Sequence, residues 1–295
     1  MNFEELIRVS LKRRKVEYQI MVENILRRFF NFKQAGGSFF YLLIRGITFY
    51  AMPRQLLTPS DMRPKSPSAR RINNLISSRT KSYLEIGMYN GSTFEQVDVN
   101  VKHGVEPYPR FNTKLLPKNV KVFKIMSDEF FEIHCKNTLY DFIFIDGSHE
   151  LQQVGRDLLN SLNHLSDHGR ILMDDMVPCD SISAIADTEI SNLKRKQAGL
   201  PGKPNHGDCF RLLPFIFEHL SFMEIYLILY PNNPQLLLVA PPKYRDFLSM
   251  NEIRIAYESY NFSDLTFELV FESGKLKTYP IFIEELLINY LRNKK

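Results

Sequence analysis

Three carboxylates and a histidine crowd two short stretches of this sequence. Asp146 and His149 follow the apolar run Phe142–Ile145, in Asp146-Gly147-Ser148-His149, and Asp174-Asp175 closes the run Ile171–Met173. Histidine titrates near ~6.5 and takes up a proton at neutral pH, which makes His149 a candidate general base. Neighbouring parallel strands lie about 4.8 Å apart. If the two runs are adjacent strands, Asp146, Asp174 and Asp175 can meet on one hard cation. Mg²⁺, Mn²⁺ or Ca²⁺ suits such an all-oxygen set better than zinc does. A cation bound to two substrate hydroxyls would lower an alcohol's pKa and fix its orientation. The plainer alternative gives these groups smaller tasks. His149 then caps a helix, Asp146 orients a ligand, Asp174 bonds to His149 and Asp175 faces solvent.

A second pattern precedes this one. Tyr83-Leu84-Glu85-Ile86-Gly87-Met88-Tyr89-Asn90-Gly91-Ser92-Thr93 reads as a strand, a glycine loop and a helix start. In open α/β sheets ligands bind beyond the carboxyl ends of the strands, and glycine there lets backbone approach them closely. Glu106 ends the next apolar run, where a carboxylate can accept from both ribose hydroxyls of an adenosyl group. The spacing lacks the middle glycine of a dinucleotide fingerprint. A tight turn with no ligand fits the loop equally well.

The elements that must position these groups alternate. Five short apolar runs, Tyr83–Ile86, Val101–Val105, Val120–Ile125, Phe142–Ile145 and Ile171–Met173, suit strands of a parallel sheet buried on both faces. Leu151, Val154, Leu158, Leu162 and Leu165 keep helical spacing, with Gly169 as the expected stop. Ser66-Pro67 predicts a capped helix start, with Ile72, Leu75 and Ile76 on one face. Ile225–Tyr230 and Gln235–Val239, joined by Pro231-Asn232-Asn233-Pro234, predict an antiparallel hairpin. A second hairpin is expected at residues 272–275 and a closing helix around Phe282–Leu291. The pattern predicts a doubly wound, Rossmann-like α/β sheet with a terminal antiparallel hairpin.

Taken together, the glycine loop, Gly104-Val105-Glu106-Pro107 and Tyr140–Glu150 resemble the class I S-adenosylmethionine-dependent methyltransferases. The similarity is greatest to a bacterial subgroup with a D-G-x-H element, and it covers roughly residues 66–241. His168 stands where that subgroup usually has the first of two glycines. The resemblance implies a seven-stranded sheet and S-adenosyl-L-methionine as cofactor. It places Glu85, Gly87 and Gly91 beside the methionine and ribose, and Asn90 and Ser92 nearby. Glu106 would hold the ribose. Ser127 and Asp128 would flank the adenine, although Asp128 could equally cap the helix that follows. Some sugar and catechol O-methyltransferases of this fold resemble the Asp146/Asp174/Asp175 arrangement. His206 falls where the family lines its acceptor pocket, and Asp208 reads as a helix cap. The activity implied is O-methylation of a sugar, glycan precursor or small-metabolite hydroxyl. An oxidoreductase or hydroxylase on a similar fold, or a non-catalytic binding subunit, is the alternative.

Composition frames these readings. The 295 residues are 44% hydrophobic and 24% charged, with three cysteines and no C-x-x-C pair. A disulfide scaffold or zinc ribbon is not expected, and neither a membrane span nor a secretory signal is evident, so a cytoplasmic location is the expectation. Residues 1–80 hold 15 Lys/Arg against 5 Asp/Glu, within a net charge of +5. The expected division is a basic, aromatic-rich extension over 1–65, the methyltransferase-like domain over 66–241 and a tail over 242–295. Residues 1–60 suit a homodimer contact or peripheral docking on an anionic membrane. No finger or aromatic RNP pattern points to nucleic acid.

Overall fold

The computed structural model of the protein describes residues 66–111, 113, 116–200, 205–230, 234–271 and 281–293. The expectations for residues 1–65, and the hairpin expected at 272–275, lie outside the described residues.

The sheet has the order β3-β2-β1-β4-β5-β7-β6-β8. Its strands are β1 (Ser82–Ile86), β2 (Val101–Val105), β3 (Val120–Phe123), β4 (Tyr140–Ile145), β5 (Leu165–Met173), β6 (Glu224–Tyr230), β7 (Gln235–Val239) and β8 (Ile281–Ile283). The first five pair in parallel, and β7 runs antiparallel to both β5 and β6. The expected seven strands are therefore present. The short β8 adds an eighth, parallel to β6.

Alternation along each strand fills two cores. Leu84, Ile86, Ile143, Ile145, Ile171 and Met173 face one side. Tyr83, Phe142, Phe144 and Leu172 face the other. Successive side chains on a strand point to opposite faces, so continuous apolar runs signal burial on both. The first core is covered by α3 (Leu151–Asn163), α5 (Leu212–His219), α7 (Met250–Ser259) and α8 (Phe267–Phe271). The second is covered by α1 (Pro67–Leu75) and α9 (Glu284–Asn293). The remaining helices are α2 (Ser127–Glu129, extended by a wider turn over Phe130–His134), α4 (Thr188–Gln197) and α6 (Tyr244–Phe247). Ser66 caps α1 as expected, its side chain accepting from the Ala69 N–H.

Three local expectations are corrected. Helix α3 ends at Asn163, and Leu165 and Gly169 both belong to β5. Leu165 is fully buried from its strand position, and an inward strand residue satisfies the same apolar spacing as another helical turn. The capping residue of α2 is Met126, so Asp128 lies inside the helix rather than before it. Residues 281–283 form β8, and the closing helix begins at Glu284. His168 adopts φ +60, a left-handed conformation that glycine takes more easily; this accounts for the glycine expected there.

Among the described residues, no helix is long and apolar enough to cross a membrane.

Candidate functional site

A cavity of about 570 Å³ opens above the carboxyl ends of β1, β2 and β4. Glu85, Gly87, Asn90, Ser92, Glu106, Ser127, Asp146 and His149 line it, which brings most of the expected site residues together. Gly87 has φ +85, and a Cβ there would stand 2.1 Å from the Asp146 carbonyl oxygen. Only glycine lets the loop cross this close to the end of β4. Glu106 ties two loops beside the cavity, accepting from the Tyr89 N–H at 3.0 Å and the Tyr108 N–H at 2.9 Å. Asn90 accepts from the Ser92 N–H and stiffens the loop.

Glu85 is buried, and the Tyr83 hydroxyl donates to it at 2.5 Å. Burial pushes its carboxyl up to about 8; the Tyr83 bond opposes this, the Asp146 charge adds to it and Lys102 opposes.

At the end of the cavity past β4 and β5 the groups converge more tightly. His149 Nε2 lies 3.1 Å from Asp175 Oδ2 and 3.6 Å from Asp146 Oδ1. One ligand atom from each of Asp146, His149 and Asp175 falls within 4.8 Å of the others. His206 Nε2 reaches the second oxygen of Asp175 at 3.6 Å. The other ring nitrogen of His149 is 3.1 Å from the Asn205 carbonyl. A carbonyl only accepts, so Nδ1 carries the proton and Nε2 is the atom that faces the carboxylates.

Burial raises the Asp146 carboxyl and the Asp174 charge raises it further, against a smaller pull from His149. Burial alone would lower His149; the nearby Asp146 and Asp175 carboxylates outweigh it, and the imidazole is held upward.

Backbone geometry supports this gathering. His149 and Asp175 both have positive φ, 57 and 56. Non-glycine residues take this conformation at a cost that the surrounding fold must hold in place. Gly207, at φ +65, packs so close to the His149 carbonyl that a Cβ would stand 1.9 Å from it. Asp208 then accepts from the Leu151 N–H at 2.8 Å, and so caps α3 rather than the helix that follows it in sequence.

Asp174 adjoins this group, and two other expected residues lie outside the cavity lining. Asp174 lies outside the three-residue group and accepts from the Asp175 N–H. Asp128 pairs with Arg156 at 3.1 Å on a partly exposed surface. Gly91 packs against the ring of Phe111, where a Cβ would stand 2.9 Å away. Sequence reasoning missed Tyr89, Met126, Ser148, Gln153 and Asp157 in the cavity wall. Gln153 and Asp157 carried a signal: they are polar, four residues apart and share one face of α3.

Residues 84–176 match the family model described as a methyltransferase domain. The chain is thus similar to methyltransferase domains over these residues. The matched residues run from β1 to the end of β5 and include the glycine loop, Glu106, Asp146, His149 and Asp175. Solved structures similar to the chain include an O-methyltransferase from Bacillus cereus in complex with SAH, at 16% identity over 64% of this chain and 84% of that one, TM-score 0.38. The N-methyltransferase NodS from Bradyrhizobium japonicum WM9 is similar at 13% identity over 62% of this chain and 98% of that one, TM-score 0.37. The MycE methyltransferase of the mycinamycin biosynthetic pathway, in complex with Mg and SAH, is similar at 13% identity over 61% of this chain and 50% of that one, TM-score 0.40. No curated protein matches the chain.

Proposed function

We propose that the methyltransferase-like domain transfers a methyl group from S-adenosylmethionine to a hydroxyl of a sugar, glycan precursor or small metabolite, with His149 as base. The observation that carries this reading is the meeting of His149, Asp146 and Asp175 at the edge of a cavity lined by Gly87 and Glu106. The cavity fits the cofactor in its chemistry. Glu106 keeps acceptor capacity for ribose hydroxyls beyond its two backbone bonds, since a carboxylate offers about four lone-pair sites. Gly87 leaves the backbone cradle that a Cβ would fill.

Methyl transfer from a sulfonium needs collinear positioning above all, and positioning alone supplies a large part of such accelerations. A hydroxyl acceptor must also lose a proton. His149 Nε2 faces the reaction end, with Nδ1 fixed by Asn205, so its free lone pair has one direction in which to act. The Asp146 and Asp175 carboxylates beside it strengthen its hold on a proton, and offsetting their charge would weaken it.

Asp146 and Asp175 are the residues that would hold a divalent cation, which would supply that offset and lower the pKa of a bound alcohol. The two carboxylates are oxygen donors that suit Mg²⁺ or Mn²⁺, which leaves His149 Nε2 for the acceptor's proton. His206, against Asp175, would border the acceptor. The cytoplasmic location and the docking role of residues 1–60, on a partner copy or an anionic membrane, remain part of this proposal from charge and composition alone.

The test is mass spectrometry of candidate glycans and metabolites incubated with S-adenosylmethionine, with Mg²⁺ or Mn²⁺ and with EDTA. An added methyl group on a hydroxyl, suppressed by EDTA, is expected. His149→Ala should keep cofactor binding and lose roughly 10²-fold in turnover. Full turnover in that variant contradicts the base assignment.

A further inference from the structure

A second cavity, of about 310 Å³, shares no lining residue with the first. It opens where the end of α1 meets α9, and Leu75, Ile76, Ile288 and Leu291 form its apolar walls. The sheet contributes one residue, Arg170 of β5. Side chains alternate along a strand, so Arg170 lies on the same face as Leu172, in the core that α1 and α9 cover. Every other lining residue is uncharged.

Arg170 is a half-buried cation with no partner at contact distance. Its Nε is closed off and has no hydrogen-bond partner. Among the described residues nothing hydrogen-bonds to the rest of the guanidinium, and no carboxylate forms a salt bridge with it. The one carboxylate whose charge acts on it is Glu224. Glu224 and Arg170 pair with Val239 of β7 from opposite sides, and the Tyr226 hydroxyl already donates to Glu224 at 2.5 Å. Burial pulls the guanidinium down from its ordinary value, and Glu224 and Tyr226 only partly oppose that pull. Arginines withdrawn from water are ordinarily paired, so an unpaired one in a cavity wall points to an anion that arrives with a ligand. The residue keeps partial exposure, and its terminal N–H groups, rather than Nε, are the donors left for that anion.

We propose that this cavity binds a monocarboxylate with an unbranched apolar chain, a fatty acid of medium length, with its head on Arg170 and its chain between α1 and α9. A lone guanidinium matches a single negative charge, and its planar fork donates to both oxygens of a carboxylate at once. A phosphate monoester carries about −1.5 to −2 at neutral pH, and one cation would leave part of that charge unmatched. The chain gains affinity with each methylene it buries against the four aliphatic side chains. The volume sits at the small end of ligand cavities, which limits the length of that chain.

Calorimetric titration of the full chain with octanoate, octanol and inorganic phosphate tests the assignment. The wild-type protein should bind octanoate, and should bind octanol roughly tenfold or more weakly, since octanol keeps the chain and lacks the charge. Arg170→Met keeps an unbranched side chain and removes the buried charge. It should lose roughly tenfold or more in affinity for octanoate and keep its affinity for octanol. No binding of octanoate, octanol bound as tightly as octanoate, or phosphate bound in place of octanoate overturns the proposal on the wild-type protein alone. A folded Arg170→Met protein with unchanged octanoate affinity overturns it as well.

Discussion

His149 shows how far residue type can be read and where the reading stops. A histidine just past an apolar strand is legible in sequence as a candidate base, because its ordinary pKa lies near neutrality. Its tautomer was not recognisable, because that depends on the Asn205 carbonyl, far along the chain. The same limit applies to the carboxylates. Asp146 and Asp175 meet as their strand ends suggested, but Asp174 bonds the Asp175 amide, a choice set by local backbone geometry. Glu85 gives a direct test at this scale. Its folded pKa, raised to about 8 by burial, lies above the unfolded carboxylate value. The stability it contributes is therefore fully present below the unfolded pKa and is lost as pH rises through about 8. Glu85→Gln keeps a polar group beside Tyr83 and removes the titration. Between pH 5 and 8 the wild-type melting temperature should fall relative to that of Glu85→Gln, measured without ligand. Parallel profiles for the two proteins would contradict this account.

At the scale of elements, strands were legible and their ends were not. Apolar runs located β1 to β7 because a strand buried on both faces has little choice of residue. The end of α3 was misplaced because Leu165 serves either a helix face or a buried strand position. Strand β8 was missed because three residues carry too little pattern to separate from the helix they precede. Asp208 was legible as a cap, but the helix it caps begins 57 residues earlier. This bond, with the Gly207 contact, joins the start of α3 to the segment that carries His206. Asp208→Ala should cost ~1 kcal/mol in denaturant unfolding, the ordinary value of a lost cap. It should also reduce turnover more than cofactor affinity, since the turn it anchors holds His149. An unchanged unfolding midpoint would show that the cap is idle.

For the whole molecule, the C-terminal helix is fastened to the beginning of the described chain by charge. Arg70 and Arg71 on α1 both donate to Glu284 on α9, and all three are nearly inaccessible. Arg71 also reaches Gln235 on β7, so two helices and the sheet share one polar knot. Nothing in the spacing of these residues announces the pairing, because 213 and 214 residues separate the partners. Removing one partner of a buried ion pair leaves the other charge unmatched, at a cost of roughly 3–5 kcal/mol. Glu284→Ala should therefore destabilise the fold by that order in urea unfolding, and a loss near zero would mean that the knot is solvated. Such a fastening keeps β8 and α9 seated against the sheet.

The central claim is that the cavity above β1, β2 and β4 holds S-adenosylmethionine by its ribose. Isothermal titration of the wild-type protein and Glu106→Ala with S-adenosylhomocysteine, with NAD as the control ligand, tests it most directly. The account predicts binding of S-adenosylhomocysteine, no binding of NAD and a loss of roughly tenfold or more in affinity for Glu106→Ala. A preference for NAD, or an affinity unchanged in Glu106→Ala, would contradict it.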